Sequence, residues 1–165
     1  MNGFSPATHS AADIVRRLDL QPLPHEGGWF RPTTPASPAR AAAPGFSAIL
    51  AMFTPDQFSA LHQLAQDELW LFHAGDPLDL LLLFPDGRGD TRILGAAPGS
   101  EPALQQIVPG GVWQGARVRR GGRWTLVSCV VVPAFSWDHF ALGTRGLLTR
   151  AYPAWSEEIN ALTRT

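Results

Sequence analysis

Between residues 46 and 142 the chain is cut by turn residues into short apolar runs, and this punctuation restricts the fold more than any other feature. The runs at 46–53, 78–84, 91–94, 104–108, 112–118, 124–132 and 137–142 are separated by Asp76-Pro77, Pro85-Asp86-Gly87, Pro98-Gly99, Pro109-Gly110-Gly111 and Gly121-Gly122. Proline presets φ and glycine reaches positive φ, so each separator favours chain reversal. Sixteen glycines and fifteen prolines suit many tight turns. About eight short strands at this spacing predict a sandwich or barrel and exclude a βαβ fold.

The flanks read differently. Ser10 with Asp13 forms a capping-box pattern, followed by Ile14, Val15 and Leu18 at helical spacing, so a helix is predicted over 10–18. Residues 1–9 are expected to be a flexible lead-in, and 10–165 a single domain. Three prolines and Gly27-Gly28 make 20–32 an extended, turning segment. Residues 33–45 read as a surface loop, and short helices are expected at 146–152 and, after Pro153, at 156–162.

Composition removes several function classes. A formal net charge of −1 gives no electrostatic reason to bind nucleic acid or an anionic membrane. No stretch approaches the roughly 20 apolar residues of a membrane span, and no signal-peptide pattern opens the chain, so a cytoplasmic location is expected. The one cysteine, Cys129, excludes an internal disulfide and reads as a buried small hydrophobe. All thirteen basic residues are arginines, which excludes Schiff-base chemistry and a phosphate-binding P-loop lysine.

The chemistry-bearing stretch is 59–75. It reads as a β-hairpin arm with His62, Leu64, Glu68, Trp70 and Phe72 on one face, because a strand sends alternate side chains to the same side. A histidine, a carboxylate and two aromatics form a pocket wall rather than an ordinary core stripe. Three roles stay open for His62 and Glu68: metal ligands, a hydrogen-bonded acid–base pair, or a structural pair. In the second, Glu68 orients the imidazole and raises its pKa. Trp70, Phe72, Trp113 and Phe135 either stack a ligand ring or fill the core. Arg31, following Gly27-Gly28, either meets a ligand carboxylate or phosphate or pins the N-terminal arm. Glu26 reads as a pocket lid or a structural hydrogen-bond acceptor.

His62, Glu68 and Gly75, followed by Pro109-Gly110-Gly111 and Gln114, resemble the two motifs of the cupins. Leu64 and Gln114 stand where the general pattern has its second and third histidines. The segments 24–31, 59–62, 67–72, 74–78, 108–114 and 132–135 are similar, in order, to the cupin-5 family, a domain of unknown function (DUF985). Departures are the missing proline between His25 and Glu26, Ala134 in place of a glycine, and His139 in place of an acidic residue.

The resemblance implies an all-β, double-stranded β-helix (an RmlC-like cupin jelly-roll barrel) with short terminal helices, and a homodimer. It also implies that His62, Glu68 and Gln114 surround one point, where they would be the ligands of a divalent metal if one is bound. Three functions stay open. One is an isomerase, epimerase or cyclase acting on a polar metabolite such as a sugar derivative, with His62 and Glu68 catalytic and Gln114, Trp70, Phe72, Glu26, Arg31, Trp113 and Phe135 binding the ligand. The others are a non-enzymatic small-ligand binding or sensing module, and a metal-dependent enzyme with a reduced ligand set.

Overall fold

The computed structural model describes residues 3–34, 45–99 and 101–164. The loop expected over 33–45 therefore lies mostly outside the described residues. The strands are β1 (Gln21–Pro22), β2 (Trp29–Pro32), β3 (Ser47–Phe53), β4 (Ser59–Leu64), β5 (Asp67–Gly75), β6 (Leu78–Leu83), β7 (Gly89–Leu94), β8 (Gln105–Val108), β9 (Trp113–Val118), β10 (Thr125–Val132) and β11 (Phe140–Leu142). They form two antiparallel sheets, of order β1-β2-β3-β10-β5-β8 and β11-β4-β9-β6-β7. The all-β double-sheet architecture is the one expected. The extended N-terminal segment supplies two strands, β1 and β2, that the turn pattern did not foresee. The run at 137–142 is not one strand: Trp137–His139 is a 3-10 turn, held as the Ser136 side chain accepts from the Asp138 N–H, and only Phe140–Leu142 pairs.

The stretch 59–75 is not a hairpin. β4 pairs with β9 and β11, whereas β5 pairs with β8 and β10, so the two lie in opposite sheets. A two-residue hairpin requires positive φ, usually from Asn or Gly. Ala65-Gln66 does not supply it, and the chain arches across the barrel instead. The alternation still holds for His62 and Leu64 in β4 and for Glu68, Trp70 and Phe72 in β5, before a bulge at His73 sends Ala74 to the outer face. Gly75 ends β5 at φ +104, where a Cβ would lie 2.3 Å from the Trp124 carbonyl oxygen. No side chain fits there, which gives the motif glycine its physical reason.

Helices close the outer faces. α1 (Ala11–Leu18) lays Ile14 over Met52, Trp124 and Leu126 of the larger sheet. α2 (Arg145–Ala151) and α3 (Ser156–Ala161) place Leu148 and Ile159 over Leu61, Leu81 and Leu83 of the smaller one. β6 is therefore buried on both faces, Leu80 and Leu82 facing Trp70 and Val127 between the sheets. This explains its unbroken apolar run. No described helix is long and apolar enough to cross a membrane. Within residues 3–9, Phe4 packs beneath α1 and the His9 carbonyl accepts from Trp124 Nε1 at 2.9 Å.

The capping box at Ser10 forms as expected: its side chain accepts from the Asp13 N–H at 3.2 Å, and Asp13 accepts from the Ser10 N–H at 3.1 Å. Ser10→Ala should lower stability by about 1 kcal/mol, measured by urea denaturation. An unchanged midpoint would show that α1 is held by its buried face alone.

Candidate functional site

A cavity of about 490 Å³ opens beside the inter-sheet core, and Ala51, Phe53, Trp70 and Cys129 belong to both. Leu23, Pro24, Phe30 and Pro32 from the N-terminal arm form one wall, with Ile49 and Val131 from the larger sheet and Leu64 from β4. Phe135 and Trp137 complete the lining. Among the described residues its ionisable members are Glu26, His62, Glu68 and Cys129.

His62 is set between two carboxylates. Its Nδ1 lies 2.8 Å from the Ala60 carbonyl oxygen, which only an N–H at that position can bond. The same nitrogen is 3.5 Å from Glu26 Oε2, and Nε2 is 3.8 Å from Glu68 Oε2. The second separation exceeds a direct hydrogen bond, so an Nε2 proton remains available to a ligand. Phe140 stacks on the ring at 5.7 Å between centroids. Burial opposes charge on His62, but the Glu26 carboxylate and then Glu68 outweigh it and raise the pKa to about 9. The imidazole is therefore cationic at neutral pH. Burial pushes the Glu26 carboxyl upward, against the pull of His62. Burial also pushes up the Cys129 thiol, helped by Glu68 and Glu26, which leaves it a neutral group in the wall.

Gln114 sits behind Glu68. The register pairs it with His62 across β4 and β9, and its side chain crosses to the other sheet. Trp70 Nε1 donates to Gln114 Oε1 at 2.8 Å, and Gln114 Nε2 donates to Glu68 Oε2. An indole N–H can only donate, so Trp70 fixes which end of the amide carries the oxygen. Glu68 is thereby held by an N–H while the amide oxygen is turned away.

That orientation decides the fit of a metal. Gln114 presents a donor rather than an oxygen to the point near His62 and Glu68. Glu26 lies on the opposite nitrogen of the imidazole from Glu68, so the two carboxylates do not converge with it on one ion. No cluster of three or more His, Cys, Asp or Glu suited to a metal occurs among the described residues. The expected set of His62, Glu68 and Gln114 does not fit a metal centre in this arrangement.

His62, Glu68, Trp70, Glu26 and Phe135 all reach the cavity, and Gln114 reaches it through Glu68. Three residues do not. Phe72 packs against the inter-sheet core with its ring over Gly95. Trp113 faces the other side of β9 and packs with Leu81 and Leu148 under α2 and α3, as its adjacency to inward Gln114 requires. Arg31 is exposed on β2, while its neighbours Phe30 and Pro32 face the cavity. Gly28 does allow a close approach, but to the Met52 carbonyl oxygen of β3 rather than to a ligand. The arm instead delivers Glu26, which Ser59 Oγ bonds at 3.4 Å and whose carbonyl accepts from Ala60 N at 3.0 Å and Arg164 Nη2 at 3.1 Å. Cys129, Phe30, Phe140 and Trp137 were missed as site residues. The alternation that brings Val131 and Cys129 to the face of Glu68 and Trp70 was the one signal for the thiol.

A family model described as Cupin superfamily (DUF985) matches residues 12–143. A crystal structure of a protein from Shewanella oneidensis is 29% identical, with 95% of this chain and 99% of that one covered at a TM-score of 0.85. A hypothetical protein from Leishmania major is 30% identical, covering 95% and 100% at 0.82. Oxalate decarboxylase from Bacillus subtilis, 14% identical with 88% and 38% covered at 0.56, shares the fold alone. No curated protein matches the chain.

Proposed function

Taking as premise that this chain belongs to the cupin superfamily, in the family described as DUF985, we propose that it is a small-molecule-binding cupin that moves a proton within its ligand, as an isomerase or epimerase does. The observation that carries the reading is His62 set between Glu26 and Glu68 in a largely apolar cavity. The Nε2 proton is given to one atom of the ligand. The imidazole, now neutral, takes a proton from a neighbouring atom, so the substrate is rearranged and no other reactant is consumed. The Ala60 carbonyl and the stacked Phe140 hold the ring, and Glu68, itself held by Gln114, stabilises its charged form. The apolar walls favour a ligand with an apolar body and one polar end over a polyhydroxylated sugar.

A non-enzymatic binding module is the second reading. The observation in its favour is that Leu64 and Gln114 occupy positions where the cupin pattern has histidines. One experiment separates the two. Ligands captured from a metabolite library by native mass spectrometry are incubated with the protein in D₂O. Proton transfer predicts deuterium in the recovered compound or its isomer. A ligand that binds and returns unlabelled and unchanged sinks the isomerase reading and supports binding alone.

A further inference from the structure

The cavity carries more acidic groups than basic ones. Glu26 and Glu68 bring two carboxyl groups to it, and His62 brings one imidazole. No arginine is among the described lining residues. Arg31 is exposed, and Arg164 spends its guanidinium on the Glu26 and Phe58 carbonyls and on the Phe58 ring. An anionic ligand would meet two carboxyl groups with a single imidazole against them. Buried charge without a partner is costly, so the floor favours an occupant that supplies the missing positive charge.

Two further features point the same way. The bonds and ion pairs of Glu26 use Oε2, and Oε1 accepts no hydrogen bond from the described residues. The groups facing Glu26 are His62 and Ser59 on β4, Glu68 on β5 and His25 on its own arm. The walls carry three aromatic rings, Phe30, Phe135 and Trp137, of the kind that attract a cation or stack a planar ring.

We propose that the cavity selects a small molecule with an apolar or aromatic body and a cationic ammonium head placed against Glu26, and rejects carboxylate and phosphate heads. This rests on the reading of the cavity as a ligand pocket, and not on proton transfer. An amine that binds without deuterium uptake would remove the isomerase chemistry and leave the charge preference standing.

The test uses three probes with one skeleton: 3-phenylpropylamine, 3-phenylpropan-1-ol and 3-phenylpropanoate. Dissociation constants are measured by NMR titration at neutral pH. The amine should bind about tenfold or more tighter than the alcohol, and the propanoate should be the weakest. Glu26→Gln should bring the amine and alcohol constants together. A smaller amine preference, a propanoate that matches the amine, or a preference that survives Glu26→Gln overturns the proposal. If none of the three binds, this proposal falls, and the library capture alone decides the pocket reading. Should Glu26→Gln fail to fold, the ranking of the three probes on the unmodified protein decides.

Discussion

His62→Ala is expected to destabilise the protein by about 3–5 kcal/mol, the cost of breaking a buried ion pair by removing one partner. The imidazole stands between Glu26 and Glu68, with its side chain 3% exposed. Its loss leaves two carboxylates facing one cavity with no counter-charge and strips the stacked face of Phe140. The loss should not be additive. Adding Glu26→Gln to His62→Ala removes one of the stranded charges and should recover part of the stability, as a double-mutant cycle by urea denaturation would reveal. A well-packed apolar replacement of the whole set could be neutral, because charge burial is itself unfavourable. A single deletion that costs less than about 1 kcal/mol would show that the three groups do not act as a charge network. His62→Gln keeps polarity and bulk but cannot carry the proton. Any deuterium uptake found for the native protein should fall by about 10²–10⁴ in that variant.

The inward row was legible because alternation in a strand is local. His62 and Leu64, then Glu68 and Trp70, share a parity that needs no knowledge of the partner strands. The pairing of those strands was not legible. Whether Ala65-Gln66 closes a hairpin or an arch depends on which neighbours β4 and β5 find, and these come from residues 105–142. Trp113 takes the core role rather than the ligand-stacking one, as its adjacency to Gln114 on the strand already required. Phe72 has the right parity, yet it lies beyond the cavity, where the row enters the core beside Gly95. The orientation of Gln114 is a tertiary property, set by the indole of Trp70 from the facing sheet. Glu26 lies thirty-six residues before His62 in the sequence. Only the folding of the N-terminal arm over β3 makes it an equal partner of the imidazole. The motif thus identified the floor of the site, while its charge balance waited on the arm.

Stability should fall as pH rises from about 6.5 to about 9, and His62 should be responsible. Its pKa is raised in the fold from 6.5 to about 9, so the native state holds a proton that the unfolded chain releases across that window. The contribution is complete below pH 6.5 and is lost as pH rises through 9. At 1.36 kcal/mol per unit the loss is on the order of 3 kcal/mol. Glu26 acts in the same sense but from its ordinary value of 4.5 upward, since burial raises its pKa and the native state again holds the proton more tightly. The other displaced groups act elsewhere. His73, lowered by partial burial, weakens the fold only as pH falls below its ordinary value of 6.5. Cys129 and Tyr152, both raised by burial, enter only above their ordinary values of 9.0 and 10.0. Asp13, lowered to about 2, and Asp86, also lowered, lose their contributions only in acid. The measurement is the urea midpoint at half-unit steps of pH for the native protein and for His62→Gln. The native midpoint should decline across the window, and the variant should lack the share of that decline that His62 carries, keeping only what Glu26 contributes. A decline of equal size in both would assign the effect to groups other than His62 and remove the cationic imidazole on which the proton-transfer reading depends.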